Sequence, residues 1–170
     1  IPCRNEQEHI AACLDSILEQ KYSPLEILVL NDHSEDKSAD ILSHYANSHD
    51  NVTIIQGNSL PEGWTGKNWA CHQLYVVSRG DVLLYCDADT QIGQDLIRDA
   101  VAELENRALG FVTIFPERKT RNTFDRWIWS FTSWVIASWI PLWLAYQTRL
   151  GILAVGFGQF LMLRRNAYEA

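Results

Sequence analysis

Apolar residues recur at helical spacing from Glu8 to Gln20, where Ile10, Cys13, Leu14, Ile17 and Leu18 form one stripe. The following run, Glu26 to Leu30 (EILVL), is apolar at consecutive positions, which suits a strand covered on both faces. The same alternation then repeats. The pattern predicts a helix from about Lys37 to Tyr45, a strand Val52 to Gln56, a helix from about Asn68 to Val77 and a strand Val82 to Cys86. A helix from about Gln94 to Arg107 and a strand Phe111 to Phe115 continue it. Strands and helices in strict alternation predict an α/β sandwich built from right-handed βαβ units, with a mostly parallel sheet. In such folds ligands lie beyond the carboxyl ends of the strands, and candidate chemistry is sought there.

Composition narrows the classes. A chain of 170 residues suits one domain, residues 1–170, and the 47% hydrophobic and 21% charged fractions fit a folded globular protein. The net charge of -7 argues against a nucleic-acid partner, since affinity for a polyanion rests on Lys and Arg. Cys3, Cys13, Cys71 and Cys86 show no CxxC spacing, so neither a zinc site nor a disulfide framework is expected, and a reducing compartment is. No P-loop, GxGxxG, internal repeat or low-complexity segment occurs. The chain opens at Ile1-Pro2, which reads as the end of a strand without a secretory signal, so the expected start lies upstream.

Three predicted strand exits carry acidic or amide groups: Ile1-Pro2-Cys3-Arg4-Asn5-Glu6, Asn31-Asp32-His33-Ser34-Glu35-Asp36 and Asp87-Ala88-Asp89-Thr90. Each has a plain alternative, because acidic residues after strands also cap the next helix, as Ser34 or Asp36 could. Asp87-Ala88-Asp89 directly follows the apolar run Val82 to Cys86, which places two carboxylates at the mouth of any site there. Carboxylates are hard ligands for Mg²⁺ or Mn²⁺, usually one or two of them with substrate phosphates completing the shell. A DxD triplet is also a common exposed turn.

The order IPCRNE, EILVLNDHSED, GDVLLYCDADT resembles the opening half of family 2 glycosyltransferases of the GT-A fold, a Rossmann-like α/β/α sandwich. Leu60 to Ala70 (LPEGWTGKNWA), Gly156 to Phe160 (GFGQF) and Arg164 to Tyr168 (RRNAY) are similar to the subgroup associated with hopanoid and carotenoid biosynthesis. The resemblance implies that Pro2, Arg4, Asn5, Glu6 and Asp32 line the nucleotide pocket of a nucleotide-diphosphate sugar, Asp32 accepting a hydrogen bond from the base. It implies that Asp87 lies near ribose and metal, that Asp89 is the direct ligand of Mg²⁺ or Mn²⁺, and that Lys67 meets the diphosphate. Lys67 as a solvated residue opening a helix is the alternative. Asn31 stands where many relatives have Asp, and His33 where many have Gly, which puts the local turn and the metal affinity in question. The catalytic base of relatives follows the RRxxY stretch, so it is expected beyond Ala170. Glu169, the last acid, matches no such base.

From Trp127 to Tyr146 run 20 consecutive residues without a charge, including Trp127, Trp129, Trp134, Trp139 and Trp143. Ser130, Thr132, Ser133, Ser138 and Pro141 argue against a bilayer span, and tryptophan favours the interface over the hydrocarbon centre. The expectation is one or two apolar helices within 127–146 lying in a membrane interface beside the acceptor site, with a break near Pro141. Packing against other parts of the same protein is the alternative. Arg118, Lys119, Arg121 and Arg126 could meet anionic head groups or form a solvated basic turn. The function expected is metal-dependent, inverting transfer of a sugar, from a UDP-type donor by the resemblance, to a lipid-like acceptor at the cytoplasmic face of a membrane. A nucleotide-sugar-binding module without turnover is the second reading. A phosphohydrolase of the haloacid dehalogenase type ranks below both, because Gln91 stands where that pattern asks for Thr or Val.

Overall fold

A computed structural model describes residues 1–114, 117, 122–139 and 156–169. The elements are β1 (Pro2–Cys3), α1 (Ile10–Leu18), β2 (Ile27–Asn31), α2 (Ser38–Ser48), β3 (Val52–Gln56), α3 (Gly66–Val77), β4 (Val82–Cys86), α4 (Leu96–Asn106), β5 (Phe111–Thr113), α5 (Thr123–Trp139), β6 (Phe160–Arg164) and α6 (Arg165–Tyr168). The alternation expected from the hydrophobic pattern is present through β5. The end of the predicted fifth strand, at Phe115, lies outside the described residues, as does the 140–146 part of the tryptophan-rich stretch with Pro141.

The strands form two groups of three, β1-β2-β3 and β4-β6-β5. The first is wholly parallel, with Pro2 opposite Leu30 and Ile27 opposite Val52. In the second, β6 runs antiparallel between β4 and β5, pairing Val82 with Arg164 and Phe111 with Leu163. The strand β6 adds an antiparallel half that the hydrophobic pattern did not announce.

The consecutive apolar residues of β2 divide between two layers. Ile27 and Val29 join a core cluster with Ile10, Cys13, Leu14 and Ile17 of α1, Leu42 of α2 and Ile97, Ala100 and Val101 of α4. Leu28 and Leu30 point the other way, onto Ala70 and Leu74 of α3. Because successive side chains alternate across a strand, a run apolar at every position requires helices on both faces. The helix stripe read from the sequence is the buried one: Ile10, Cys13, Leu14 and Ile17 are at most 5% exposed. Each such residue contributes about 1.5–3 kcal/mol by leaving water.

A cavity of about 440 Å³ lies between the start of β2 (Glu26 to Leu28) and β4, walled by Ile17, Leu74, Val101 and Met162. Its lining is mostly apolar and runs along the whole of β4, from Val82 to Cys86.

Candidate functional site

The carboxyl ends of β1, β2 and β3 are tied together by hydrogen bonds that continue past the strands. The Asp32 N–H donates to the Cys3 carbonyl at 2.8 Å, and the Gly57 N–H to the Asn31 carbonyl at 3.0 Å. Asp32 is thereby held beside Arg4, whose Nη1 lies 3.7 Å from Asp32 Oδ2. Gly57 presses closely behind it. A Cβ at Gly57 would fall 3.2 Å from Asp32 Oδ1, 3.2 Å from Leu30 Cδ2 and 3.3 Å from the Asn31 carbonyl, so this position is kept free of a side chain by its neighbours.

The loops after β1 and β2 are joined side chain to backbone. The Asn5 N–H donates to Ser34 Oγ at 3.1 Å, Asn5 Oδ1 accepts from the Glu35 N–H at 2.8 Å, and the Glu6 N–H donates to Ser38 Oγ at 2.9 Å. Asp36 Oδ2 accepts from the Gln7 N–H, and Asp36 Oδ1 from the Ser38 N–H. Burial pushes Asp36 up, but these donors outweigh it and hold its carboxyl below the usual carboxylate range. Asn5 therefore has a positioning role among the predicted pocket residues: its side chain is spent on the neighbouring loop. It adopts φ 56°, and His33 φ 54°, both in the left-handed region. His33 thus retains the backbone region that glycine favours, at a steric cost.

Asn31, the departure from the family pattern, is 5% exposed and hydrogen-bonded at both ends of its carboxamide. Its Nδ2 donates to Gln56 Oε1 at 3.2 Å and its Oδ1 accepts from the Ser34 N–H at 3.2 Å.

The second half of the site sits at the end of β4. Cys86 and Ala88 are buried, so the alternation carries Asp87 and Asp89 toward solvent, and a turn closed by the Thr90 N–H on the Asp87 carbonyl at 3.0 Å fixes them. The Cys13 and Cys86 thiols each approach that carbonyl at 3.6 Å. Lys67, in the first turn of α3, places Nζ 2.6 Å from Asp87 Oδ1. The turn before β6 closes over the pair, since a Cβ at Gly158 would lie 3.4 Å from Lys67 Nζ. Glu6 feels the same cluster: burial first, then the charge of Asp89 with smaller contributions from Asp36 and Asp87, raises its carboxyl pKa, His9 opposing.

Pro2 lies in β1 opposite Leu30, so the structure gathers Pro2, Arg4, Glu6 and Asp32 at one strand edge and Lys67, Asp87 and Asp89 at the neighbouring one. The described residues contain no group of three or more His, Cys, Asp or Glu able to hold a metal by themselves. Two outward carboxylates still fit a Mg²⁺-type ion whose remaining ligands are phosphate oxygens. Glu169 is elsewhere. It accepts a 2.6 Å hydrogen bond from the Tyr75 hydroxyl, beside Arg165, whose N–H donates to the Asp81 carbonyl at the opposite end of β4 from Asp87.

Reading the strand ends passed over Gly57 and the anchoring of the loop before Lys67. There Trp69 Nε1 donates to the Asn58 carbonyl, Gln73 Oε1 accepts from the Asn58 N–H at 2.7 Å, and Trp64 packs edge-on to Trp69 at 5.3 Å. The signal was available, because Gly57 immediately follows the third strand.

Comparisons with known proteins agree with this architecture. The chain is 25% identical over 175 residues to the beta-monoglucosyldiacylglycerol synthase of Trichormus variabilis, covering 100% of this chain and 36% of that protein. It is 29% identical over 131 residues to the 4,4'-diaponeurosporenoate glycosyltransferase of Staphylococcus aureus, covering 74% of this chain and 32% of that protein. The chain thus spans about a third of the curated relatives it matches. The mannosyltransferase PcManGT from Pyrobaculum calidifontis, solved in complex with GDP-Man and Mn2+, superposes with a TM-score of 0.68 at 18% identity, over 99% of this chain and 44% of that one. The glucosyl-3-phosphoglycerate synthase from Mycobacterium tuberculosis, in complex with UDP, gives 0.63 at 17% identity over 97% and 55%. These likenesses establish the GT-A fold. The profile of Glycosyl transferase family 2 matches residues 1–170, and the chain belongs to that family.

Proposed function

We propose that this chain forms the donor side of a metal-dependent, inverting glycosyltransferase that moves a sugar from a nucleotide diphosphate, of the UDP type, to a lipid-like acceptor at the cytoplasmic face of a membrane. The observation that carries this reading is the meeting of Lys67 with Asp87, two residues before Asp89, at the amino end of α3. A helix amino terminus with a lysine in its first turn suits a diphosphate, and two carboxylates beside it suit the cation that accompanies one. Bound there, Mg²⁺ or Mn²⁺ would neutralise charge on the departing diphosphate.

The protein's own groups divide the remaining work. Asp32, backed by Gly57 and steadied by Arg4, accepts a hydrogen bond from the base; Pro2 and Glu6 border the same pocket, and Asn5 holds its rim. Lys67 exchanges its contact with Asp87 for the diphosphate, whose negative charge grows as the anomeric carbon–oxygen bond breaks, so the interaction strengthens in the transition state. The lipid-like acceptor is supported by the names of the relatives, which act on diacylglycerol-type and carotenoid-type compounds. Four free thiols accord with a reducing compartment.

Calorimetric titration of UDP-glucose, UDP-N-acetylglucosamine and GDP-mannose, each with and without Mn²⁺, tests the reading. One donor is expected to bind at least tenfold more tightly with the metal, and Asp89→Ala is expected to remove that gain. Metal-independent binding of equal strength in both proteins would reject the role given to Asp89.

A further inference from the structure

The outer surface of α5 is unusually apolar for a surface helix. Phe124, Trp127, Ile128, Phe131 and Trp134 are 72%, 74%, 51%, 65% and 65% exposed. Together they make five of the eleven large hydrophobic residues exposed among the described residues. At about 100° per residue they fall within an arc of roughly 120°, so they form one continuous stripe. The half-buried positions of the same helix up to residue 135 are Asp125, Trp129, Thr132, Ser133 and Val135, so its inner side carries apolar residues too. An amphipathic helix packed on a globular body keeps its outward side polar, and this one carries a continuous aromatic stripe there.

Three further features say what covers it. The stripe is aromatic, which suits the zone between head groups and acyl chains, where an indole or phenyl ring meets both apolar and polar surroundings. The hydroxyls of Thr132, Ser133 and Ser138 donate to the carbonyls of Ile128, Trp129 and Trp134 at 2.9, 2.8 and 2.7 Å, so they are satisfied within the helix and need no water. Charge then selects the lipid. Although the chain carries -7 overall, residues 117–126 hold four basic residues, Arg118, Lys119, Arg121 and Arg126, against two acids, Glu117 and Asp125. From Trp127 to Tyr146 no charge follows. A basic segment beside an aromatic stripe complements a surface of anionic phospholipid. No helix among the described residues is long and apolar enough to cross a membrane.

We propose that the outward face of α5 is the membrane-docking surface of this protein, with Phe124, Trp127, Ile128, Phe131 and Trp134 set into the interface of an anionic bilayer. The proposal rests on the membrane-surface part of the function above and adds the face that makes the contact. Docking by this face places the enzyme where a lipid acceptor is presented, with no lipid having to leave the bilayer.

The test is sedimentation of the protein with vesicles of phosphatidylcholine alone and of phosphatidylcholine with phosphatidylglycerol at 7:3. It compares the parent with Trp127→Ser/Phe131→Ser/Trp134→Ser and with Arg126→Glu, each checked for parental far-UV circular dichroism. The parent is expected to bind the mixed vesicles at least tenfold better than the neutral ones. The triple variant is expected to lose at least tenfold in binding to the mixed vesicles, and Arg126→Glu severalfold. Quenching of parental tryptophan fluorescence by lipids brominated near the head-group end of the chain, and its loss in the triple variant, is expected as well. Equal binding by parent and triple variant overturns the proposal. So does absence of parental binding, or a parental dimer in sedimentation equilibrium that the triple variant converts to monomer, which would make the face a contact between copies. Donor titration on the same proteins separates the two readings. Vesicle binding without donor binding rejects the transferase reading alone, and donor binding without vesicle binding rejects docking alone.

Discussion

At Gly57 the absence of one carbon atom decides how Asp32 is presented. Two of the three atoms that a Cβ would meet are the Asp32 carboxylate oxygen and the main-chain carbonyl of Asn31, and the carbonyl cannot swing aside as a flexible side-chain end does. Gly57→Ala is expected to cost roughly 1–3 kcal/mol of stability through overpacking. It should also weaken donor binding severalfold by displacing Asp32, and urea unfolding with calorimetry on the same sample checks both effects. Unchanged donor affinity would detach Asp32 from the base. Residue chemistry of this kind was half legible beforehand. The acidic character of Asp32, Asp87 and Asp89 can be read from the chain. That Asn5 is tied to the loop after β2 and Asn31 to the end of β3 cannot, because their partners, Glu35 and Gln56, come from other segments.

Among the elements, α1 and α2 are joined by a contact that periodicity does not reveal. The Tyr45 hydroxyl donates to Asp15 Oδ1 at 2.6 Å and lies 3.2 Å from the Ala11 carbonyl. Burial, and then the Asp15 carboxylate, push its phenol up to about 12. With a folded pKa above the unfolded value near 10, the folded chain holds a proton that the unfolded chain has lost between those two values. The stabilisation is whole below pH about 10 and is lost as pH rises toward about 12. Tyr45→Phe is expected to be less stable near neutrality, with a shallower fall of stability across that alkaline window, as thermal unfolding over a pH series would record. A slope equal to the parent's would remove Tyr45 from the account. The helices and β2 to β4 were legible within a few residues because each carries its own period. The strand β6 was not. It stands outside the strand–helix alternation that announces the others, and antiparallel partners on both sides, β4 and β5, fix FLMLR as strand.

Over the whole molecule the two strand edges of the site belong to separately paired groups, and a ligand touching Asp32 on one and Lys67, Asp87 and Asp89 on the other would bridge them. Nucleotide sugar and Mn²⁺ together are expected to raise the melting temperature more than the sum of their separate effects. At a hundred times Kd the gain is about 2.7 kcal/mol, or roughly 5–10 °C for a chain of this size. Scanning fluorimetry of the parent and Asp89→Ala checks this, and strictly additive shifts would mean that the metal and the nucleotide do not share ligands. The order and type of most elements, the apolar stripe of α1 and the acidic exits of β2 and β4 were determined by the sequence itself, because periodicity and strand exits are local properties of a chain. The ion pair of Lys67 with Asp87, the closeness of Gly158 to that lysine, the insertion of β6 and the outward turn of the aromatic stripe on α5 were decided only by tertiary structure. Each depends on which segments, far apart along the chain, come to lie side by side, and a hydrophobic pattern says that a face is apolar without saying what it meets.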